Sequence, residues 1–391
     1  MPIQRTSQRA STFSESVIRE MTRVAREHGA VNLAQGFPDF PTPDLLKDAA
    51  CRAIRADHNQ YAITWGTTRL RNAISARYAD AYGMQVDPDR EVVVTCGATE
   101  AMAAVFLALF DPGDEVLIPE PFYENYGPDA VLAGARPIYV PMAEPDLQFD
   151  ADAFAHRVSR RTRAIIVNTP NNPTGRVFSR AELEGVARLC RTHNLIAITD
   201  EIYEYITYEG RHIPLATLPG MRDRTITVSG ASKTFAVTGW RVGTIVAPPD
   251  LTDAIRKVHD FLTVGAPAPL QDAVAEAMET LGSDYYEGLC RDYGARRDVL
   301  VPGLQRAGFN CRAPEGAYYV MADITGLADG LDDVAFSRLL IREAGVAPVP
   351  GSSFFSQPEL GRHLVRFAFC KRLETLHDAV DRLERFSRAG S

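Results

Sequence analysis

Short apolar runs of strand type recur through the middle of the chain, and helical patterns separate several of them. The runs cover residues 92–96, 115–118, 163–168, 195–199, 225–228 and 242–247. Strands that alternate with helices are typical of βαβ units, whose strands pair in parallel and whose helices cover the faces of the sheet. The pattern therefore predicts an α/β fold with a large, mostly parallel sheet covered by helices.

The run at residues 195–199 ends in Asp200, and Tyr203 follows three residues later. A carboxylate at the carboxyl end of a parallel strand points into the ligand crevice of an open α/β sheet. Opposite a pyridine nitrogen, it would keep that nitrogen protonated, so that the ring withdraws electrons from a substrate. Tyr203 could hydrogen-bond the phenolic oxygen of the same ring. Taken alone, Asp200 is more commonly explained as the cap of the next helix.

A second strand run, residues 163–168, leads into a turn at 168–175 that is dense in Asn, Pro and Gly. Asn172 in this turn could donate an amide hydrogen to the same phenolic oxygen. Ordinary turn chemistry also accounts for these residue types one by one. The complete string is much more specific than any residue in it.

Gly97, Ala98 and Thr99 stand between the strand run at 92–96 and an amphipathic helical pattern. Free backbone N–H groups and a hydroxyl at a helix N-terminus form a ready anion site. The alternative is a structural helix that Thr99 caps. The segment is thus a candidate for binding a phosphate group.

Lys233 follows the strand run at 225–228 and lies among small residues. A lysine held there can approach a carbonyl carbon and form a Schiff base with an aldehyde cofactor. Arg241, eight residues later, is a fixed cation suited to a phosphate ester. By itself Lys233 is no more than a turn lysine, so its interpretation depends on the other three segments.

Together these motifs resemble the class I and II aminotransferases, which are fold-type-I pyridoxal phosphate enzymes. The strongest elements are Asn-Asn-Pro-Thr-Gly at 171–175, Asp-Glu-Ile-Tyr at 200–203, and Ser-Lys-Thr-Phe at 232–235 followed by Gly-Trp-Arg-Val-Gly at 239–243. Residues 35–38, Gln-Gly-Phe-Pro, are most similar to the kynurenine, methionine and aromatic aminotransferases. The resemblance implies a seven-stranded sheet in a large cofactor-binding domain, residues 44–285. A smaller α+β domain would combine residues 1–43 and 286–391.

The resemblance also implies roles for individual residues around pyridoxal 5'-phosphate. Lys233 would form the Schiff base, Asp200 would pair with the ring nitrogen, and Tyr203 would bind the phenolic oxygen. The other implied cofactor-binding residues are Gly97, Ala98, Thr99, Tyr123, Asn172, Ser232, Arg241 and, across a subunit interface, Tyr61. The substrate would meet Arg366, Gly36 and Asn172. The family often has serine where this chain has Gly230, so a phosphate contact of Ser229 is left open.

By this resemblance the protein moves an amino group from an L-amino acid to a 2-oxo acid in two half-reactions, a ping-pong scheme. Lys233, once freed, would remove the α-proton as general base, and its pKa should be depressed by the cationic ring and by desolvation. Aromatic residues near the motifs, Phe37, Trp65, Tyr123 and Phe354, favour an apolar, aromatic or sulfur-containing side chain. The sequence leaves the particular donor and acceptor open.

Other readings remain open at this point. The same motifs fit a carbon–sulfur β-lyase, a cyclopropane-forming synthase or a pyridoxal-phosphate-dependent oxidase on the same scaffold. Another alternative is a binding or regulatory protein that keeps the fold without turnover. The complete set of site residues argues against it, because such a protein would not need them. A nucleotide-binding α/β enzyme is disfavoured because the chain has neither a G-x-G-x-x-G nor a G-x-x-x-x-G-K-[ST] string.

Chain length and composition further limit the class of protein. A chain of 391 residues is expected to form two domains. Its net charge of -8 argues against nucleic acid or an anionic membrane as the main partner, and no run approaches transmembrane length. Six scattered cysteines and eight unclustered histidines predict a cytoplasmic protein without a metal site. The resemblance implies a homodimer with shared active sites.

Overall fold

The computed structural model describes residues 5–13 and 15–389. Its strands are, in chain order, β1 (Val31–Asn32), β2 (Val92–Thr95), β3 (Glu115–Glu120), β4 (Arg136–Pro141), β5 (Thr162–Asn168), β6 (Ile196–Asp200), β7 (Thr225–Gly230), β8 (Gly243–Val246), β9 (Asn310–Cys311), β10 (Tyr319–Asp323), β11 (Val346–Ala347), β12 (Val349–Pro350) and β13 (Leu364–Ala368).

The α-helices are α1 (Gln8–Ser11), α2 (Val17–Glu27), α3 (Asp44–Arg55), α4 (Thr68–Tyr82), α5 (Ala98–Leu109), α6 (Tyr126–Ala133), α7 (Ala151–Ala155), α8 (Arg180–His193), α9 (Ala231–Thr234), α10 (Pro249–Thr263), α11 (Ala268–Thr280), α12 (Ser283–Arg306), α13 (Asp333–Leu339) and α14 (Leu373–Ala389). A π-helical turn, Leu340–Ala344, continues α13. Among these helices, none is long and apolar enough to cross a lipid bilayer, and this holds for the described part of the chain.

The large sheet has the strand order β2–β8–β7–β6–β5–β3–β4. Only β8 runs antiparallel to its two neighbours, and the other pairs are parallel. The predicted α/β class and the mostly parallel, seven-stranded sheet are therefore confirmed. The edge strand β4 was not predicted, because its two prolines and exposed positions depart from the buried-strand pattern.

Alternate residues of the central strands enter different cores on the two faces of the sheet. Ile166 and Ile198 pack with residues of α5, α6 and α10, whereas Ile165, Val167 and Ala197 pack with α7 and α8. Because both faces are covered, these strands are apolar at successive positions instead of alternating with polar residues. This double burial is why the strand runs stand out in the sequence.

The second sheet, β12–β13–β10–β9, is antiparallel, and α12 packs against α14 beside it. β1 pairs in parallel with β11, and α2 packs on β11 and β12, so residues near the N-terminus lie against the C-terminal part. We retain the division into residues 44–285 and residues 1–43 with 286–391 as a proposal. Its second boundary falls inside α12, which passes from one part to the other.

Candidate active site

The candidate site lies at the carboxyl ends of β5, β6 and β7. Asn168 and Asp200 are register partners at the ends of β5 and β6, and α9 follows directly on β7. β2 points the same way as β7, because β8 is antiparallel to both. Gly97, after β2, therefore reaches the same edge as Asp200 and Lys233, although these segments are far apart in the chain.

Lys233 lies on α9 and is partly buried. Its Nζ donates a hydrogen bond to the carbonyl of Gly36 across 3.2 Å, and it lies 5.8 Å and 5.7 Å from the ring centres of Tyr203 and Tyr318. Burial, together with the nearby cation of Arg241, lowers the pKa of Lys233 to about 8. A lysine with this pKa is in part an unprotonated amine near neutral pH, as a nucleophile or base requires.

Asp200 is buried at the end of β6. Its Oδ2 accepts a hydrogen bond from Tyr126 Oη across 2.7 Å, and its Oδ1 accepts one from the amide of Ile202 across 3.4 Å. Burial raises the pKa of Asp200, and the Tyr126 hydrogen bond opposes that rise. A buried carboxylate of this kind is stabilised by a cationic partner such as a protonated ring nitrogen.

Arg366 is fully buried on β13 and forms one unit with Asn172. Its Nη1 donates to Asn172 Oδ1 across 2.7 Å, and its Nη2 donates to the carbonyl of Ala34 across 2.6 Å. The guanidinium carbon lies 4.3 Å and 4.9 Å from the ring centres of Tyr319 and Phe354. Its Nε has no hydrogen-bond partner in the described residues. A buried cation with a free donor suits a substrate carboxylate.

Gly97 and Arg241 meet at the start of α5. Gly97 is the N-cap and has a φ of +83°, and a Cβ at this position would collide with the Arg241 guanidinium. Arg241 Nη1 donates to the carbonyl of Thr238 across 2.9 Å. Ala98 opens the helix, and Thr99 is exposed beside it. The absence of a side chain at Gly97 thus places an arginine at a helix N-terminus, which is a strong anion-binding combination.

Three further predicted residues lie close to this centre. Tyr203 is buried, with its Oη 3.0 Å from Tyr319 Oη. Tyr123 packs edge-on against Tyr126 at 5.9 Å between ring centres, which places it beside the partner of Asp200. Ser232 is buried next to Lys233.

Tyr61 and Ser229 differ from the rest. The Tyr61 side chain is 87% exposed, and within the described part of the chain no hydrogen bond or ring contact joins it to the other predicted residues. Ser229 donates its hydroxyl hydrogen to Glu204 Oε1 across 2.7 Å. In this arrangement the Ser229 hydroxyl is bonded to a buried carboxylate, and a phosphate contact of Ser229 stays an open question.

Several site residues were not predicted from the sequence. Asn168 Nδ2 donates to the carbonyl of Asp200 across 2.9 Å, and its Oδ1 accepts from the amide of Asn172 across 2.8 Å. Its position at a strand end was a usable signal. Tyr126, Tyr318 and Tyr319 carry no local signal, because only packing brings them to the site.

A family model described as aminotransferase class I and II matches residues 28–383. The chain belongs to this family. It is a pyridoxal-phosphate-dependent aminotransferase of fold type I, as the resemblance implied. Since the match spans most of the chain, it covers both sheets and every predicted site residue.

The aminotransferase is similar to three well-separated relatives. It is 42% identical to the probable N-succinyldiaminopimelate aminotransferase DapC of Mycobacterium tuberculosis, covering 97% of this chain and 98% of that one. The solved structure of the M. tuberculosis enzyme has a TM-score of 0.94 and covers 97% and 99% of the two chains. Human kynurenine–oxoglutarate transaminase 1 is 37% identical, with 94% of each chain covered. The structure of an Escherichia coli methionine aminotransferase is 35% identical, has a TM-score of 0.93 and covers 98% and 100%.

The residues of this aminotransferase fit its cofactor. Pyridoxal phosphate supplies an aldehyde that condenses with amines and a ring that withdraws electrons from the substrate α-carbon. The chain offers a partly buried lysine for the aldehyde, a buried carboxylate for the ring nitrogen, and an arginine at a helix N-terminus for the phosphate. Asn172 uses its side-chain oxygen on Arg366, which leaves its amide hydrogens for the phenolic oxygen. In the described residues no cluster of His, Cys, Asp and Glu could hold a metal ion.

Proposed function

We propose that the aminotransferase takes amino groups from L-amino acids with apolar, aromatic or sulfur-containing side chains and passes them to a 2-oxo acid. The observation that carries this proposal is the setting of Arg366, a buried cation with an unbonded Nε between the rings of Tyr319 and Phe354. A substrate carboxylate bound there lies among aromatic surfaces. The relatives named for kynurenine and methionine support the same substrate class.

In the proposed reaction Arg366 binds the α-carboxylate and Lys233 moves the α-proton. Lys233 is suited to this because burial holds its pKa at about 8, so the amine can take up and release a proton near neutral pH. Asp200 would stabilise the protonated ring nitrogen, and the hydrogen bond from Tyr126 orients the Asp200 carboxylate. Tyr203 and the side-chain amide of Asn172 would bind the phenolic oxygen of the cofactor, and its phosphate would be held by Gly97, Ala98, Thr99, Ser232 and Arg241.

Reductive trapping tests the assignment of Lys233. The purified protein should be yellow with bound cofactor, and borohydride should fix the cofactor covalently to one lysine. The chain has only four lysines, Lys47, Lys233, Lys257 and Lys371, so peptide mass mapping distinguishes them without ambiguity. The adduct is expected on Lys233 and absent from Lys233→Ala. An adduct on another lysine contradicts the proposal.

A donor panel separates transamination from other chemistry on this scaffold. Amino-acid donors are incubated with and without a 2-oxo acid. Turnover that requires the oxo acid marks an aminotransferase, whereas pyruvate and ammonia formed from a cysteine conjugate mark a β-lyase. Oxygen consumption marks an oxidase, and release of a cyclopropane product marks a cyclopropane-forming synthase.

A second candidate class of substrate consists of amino donors whose side chain ends in a carboxylate. An open groove along α2 is lined by Arg19, Thr22, Arg23, Arg26, Glu27 and Gln35. Gln35 in this lining directly precedes Gly36, whose carbonyl accepts from Lys233. The M. tuberculosis relative, named for N-succinyldiaminopimelate, favours the same class. Arg19→Gln and Arg23→Gln should raise KM for such donors and leave methionine unaffected.

We also propose a homodimer in which Tyr61 reaches the neighbouring site. Tyr61, Ile63 and Phe261 are 87%, 47% and 91% exposed. Tyr61 and Ile63 lie on the loop between α3 and α4, and Phe261 lies in α10, which contacts that loop through His259 Nε2, 2.8 Å from the carbonyl of Thr64. An exposed apolar surface of this kind favours burial against a second copy. Phe261→Asp should convert the dimer to monomers in sedimentation. A cytoplasmic location is proposed as well, supported by six cysteines without a disulfide.

A further inference from the structure

Two of the four lysines are withdrawn from solvent, and both bind the same turn. Lys47 and Lys257 are exposed and pair with Asp44 and Asp253 in their own helices. Lys371, between β13 and α14, is only 3% exposed. The proposed reaction accounts for the partial burial of Lys233, but it assigns no task to Lys371.

Three successive carbonyls of the turn at residues 35–37 accept hydrogen bonds from side chains. Gly36 O accepts from Lys233 Nζ at 3.2 Å and from Tyr318 Oη at 2.9 Å. The carbonyls on either side, those of Phe37 and Gln35, accept from Lys371 Nζ at 2.7 Å and 3.3 Å. The Lys371 ammonium also lies 4.0 Å from the ring centre of Phe37. Lys371 thus binds the two carbonyls that flank the Gly36 carbonyl, and the Gly36 carbonyl itself accepts from Lys233.

A buried ammonium is costly unless hydrogen bonds offset its desolvation. Burial lowers the pKa of Lys371, and the Asp39 carboxylate opposes that shift without an ion pair to Lys371 in the described residues. The hydrogen bonds found for its Nζ all go to this turn. Such a cation is weak evidence for stability, and it is more readily explained by a requirement for one defined conformation of the turn.

The turn has little room to adopt another conformation. A Cβ at Gly36 would collide with Tyr319 Oη. On either side, Arg366 Nη2 donates to Ala34 O, and the Arg372 amide donates to Asp39 Oδ1. Arg366 on β13 and Arg372 just after it therefore bind the residues that flank the turn facing Lys233.

We infer that Lys371 is a positioning residue, which holds the Gln35–Phe37 turn so that the Gly36 carbonyl receives the Lys233 amine beside the substrate α-carbon. The inference rests on the proposed role of Lys233 as the residue that moves the α-proton. When Lys371 is absent, the Gln35 and Phe37 carbonyls lose its hydrogen bonds, and Tyr318 is left as the side chain that orients the Gly36 carbonyl toward Lys233. A displacement of a base by about 1 Å is enough to slow proton transfer by up to roughly 100-fold.

The test compares Lys371→Met, which keeps the length of the side chain but has no donor, with Lys371→Arg, which keeps charge and donors. Lys257→Met is the matched control, because it makes the same chemical change at an exposed lysine. The rate at which the α-proton is removed, measured in a single turnover at saturating donor, should be lower by about tenfold or more in Lys371→Met. Lys371→Arg should recover most of that rate, and Lys257→Met should equal wild type. The dissociation constant of pyridoxal phosphate should change less than about twofold in all three, because among the described residues the Lys371 ammonium binds Gln35 and Phe37 and none of the proposed phosphate or ring ligands.

Hydrogen exchange of the cofactor-free protein gives a readout that does not depend on activity. The Phe37 amide donates within the turn to Gln35 O, and its exchange should become about tenfold faster in Lys371→Met. The Leu33 amide donates to Ala347 O and should keep its protection. Wild-type rates of proton removal and of Phe37 exchange in Lys371→Met would overturn the inference, as would equal losses of cofactor affinity and rate. If borohydride labels a lysine other than Lys233 in the wild type, it is the proposed function that fails.

Discussion

Tyr126 donates a hydrogen bond to Asp200 across 2.7 Å, although 74 residues separate the two in the chain. Tyr126 is the first residue of α6, and Asp200 is the last residue of β6. Both are buried, so the hydrogen bond is protected from water. The carboxylate proposed to face the ring nitrogen is therefore oriented by a tyrosine outside every recognised motif.

Tyr126→Phe should weaken the carboxylate form of Asp200. Burial raises the pKa of Asp200 and the Tyr126 hydrogen bond lowers it, so removing the donor raises the pKa further. Since the carboxylate is the active form, the acid limb of the kcat profile should move to higher pH. A lost hydrogen bond to a charged group, about 1.5–3 kcal/mol, predicts at least a tenfold fall in kcat. Tyr82→Phe is the control, because Tyr82 donates to Glu204 outside the site. An unchanged acid limb would contradict the role of Tyr126.

Reconstitution of the cofactor-free protein should depend on the protonation of Lys233. Only the neutral amine attacks an aldehyde, and burial sets the pKa of Lys233 at about 8 instead of the usual value of 10.5. The rate of visible absorbance gain with pyridoxal phosphate should therefore rise with pH and level off above about 8. A rate that continues to climb toward pH 10 would show that Lys233 is not desolvated.

Arg366→Lys should impair substrate binding more than turnover. The lysine keeps the positive charge but cannot form the two parallel hydrogen bonds that a guanidinium offers a carboxylate. We expect KM for the amino donor to rise about 10- to 100-fold, which corresponds to about 1.4–2.8 kcal/mol. Arg222→Lys, at an arginine that pairs with Glu91 away from the site, should leave KM unchanged. A fall in kcat with constant KM is the result that would reject a carboxylate clamp.

Subunit complementation tests the shared site. Lys233→Ala and Tyr61→Ala are each expected to be inactive or weak in cofactor binding, and mixing them under exchange conditions creates hybrid dimers. One site of each hybrid has both Lys233 and Tyr61, so activity should partly return. Tyr61→Phe alone should weaken cofactor binding by about 1.5–3 kcal/mol, measured by equilibrium dialysis. No recovery despite proven exchange, or an active monomer, would exclude this arrangement.

Local patterns were sufficient for the central fold. The strands around Ile166 and Ile198 are apolar at successive positions because helices cover both faces of the sheet, and that double burial is visible in the sequence. The edge strand β4 escaped prediction because one side of it has no neighbour, so exposed residues and prolines are tolerated there.

The chemical groups of the candidate site were also visible in the sequence, because Lys233, Asp200 and Asn172 stand in strings with a fixed spacing. Which partner each group binds was decided by tertiary structure. Ser229 turns to Glu204, Asp200 to Tyr126, and Lys371 to the turn around Gly36. Such pairs form between segments that are distant in the chain, and burial makes each hydrogen bond obligatory without leaving a periodic or local signature. Residue chemistry was therefore determined by the sequence at each position, whereas orientation and pKa were set only when the sheets packed together.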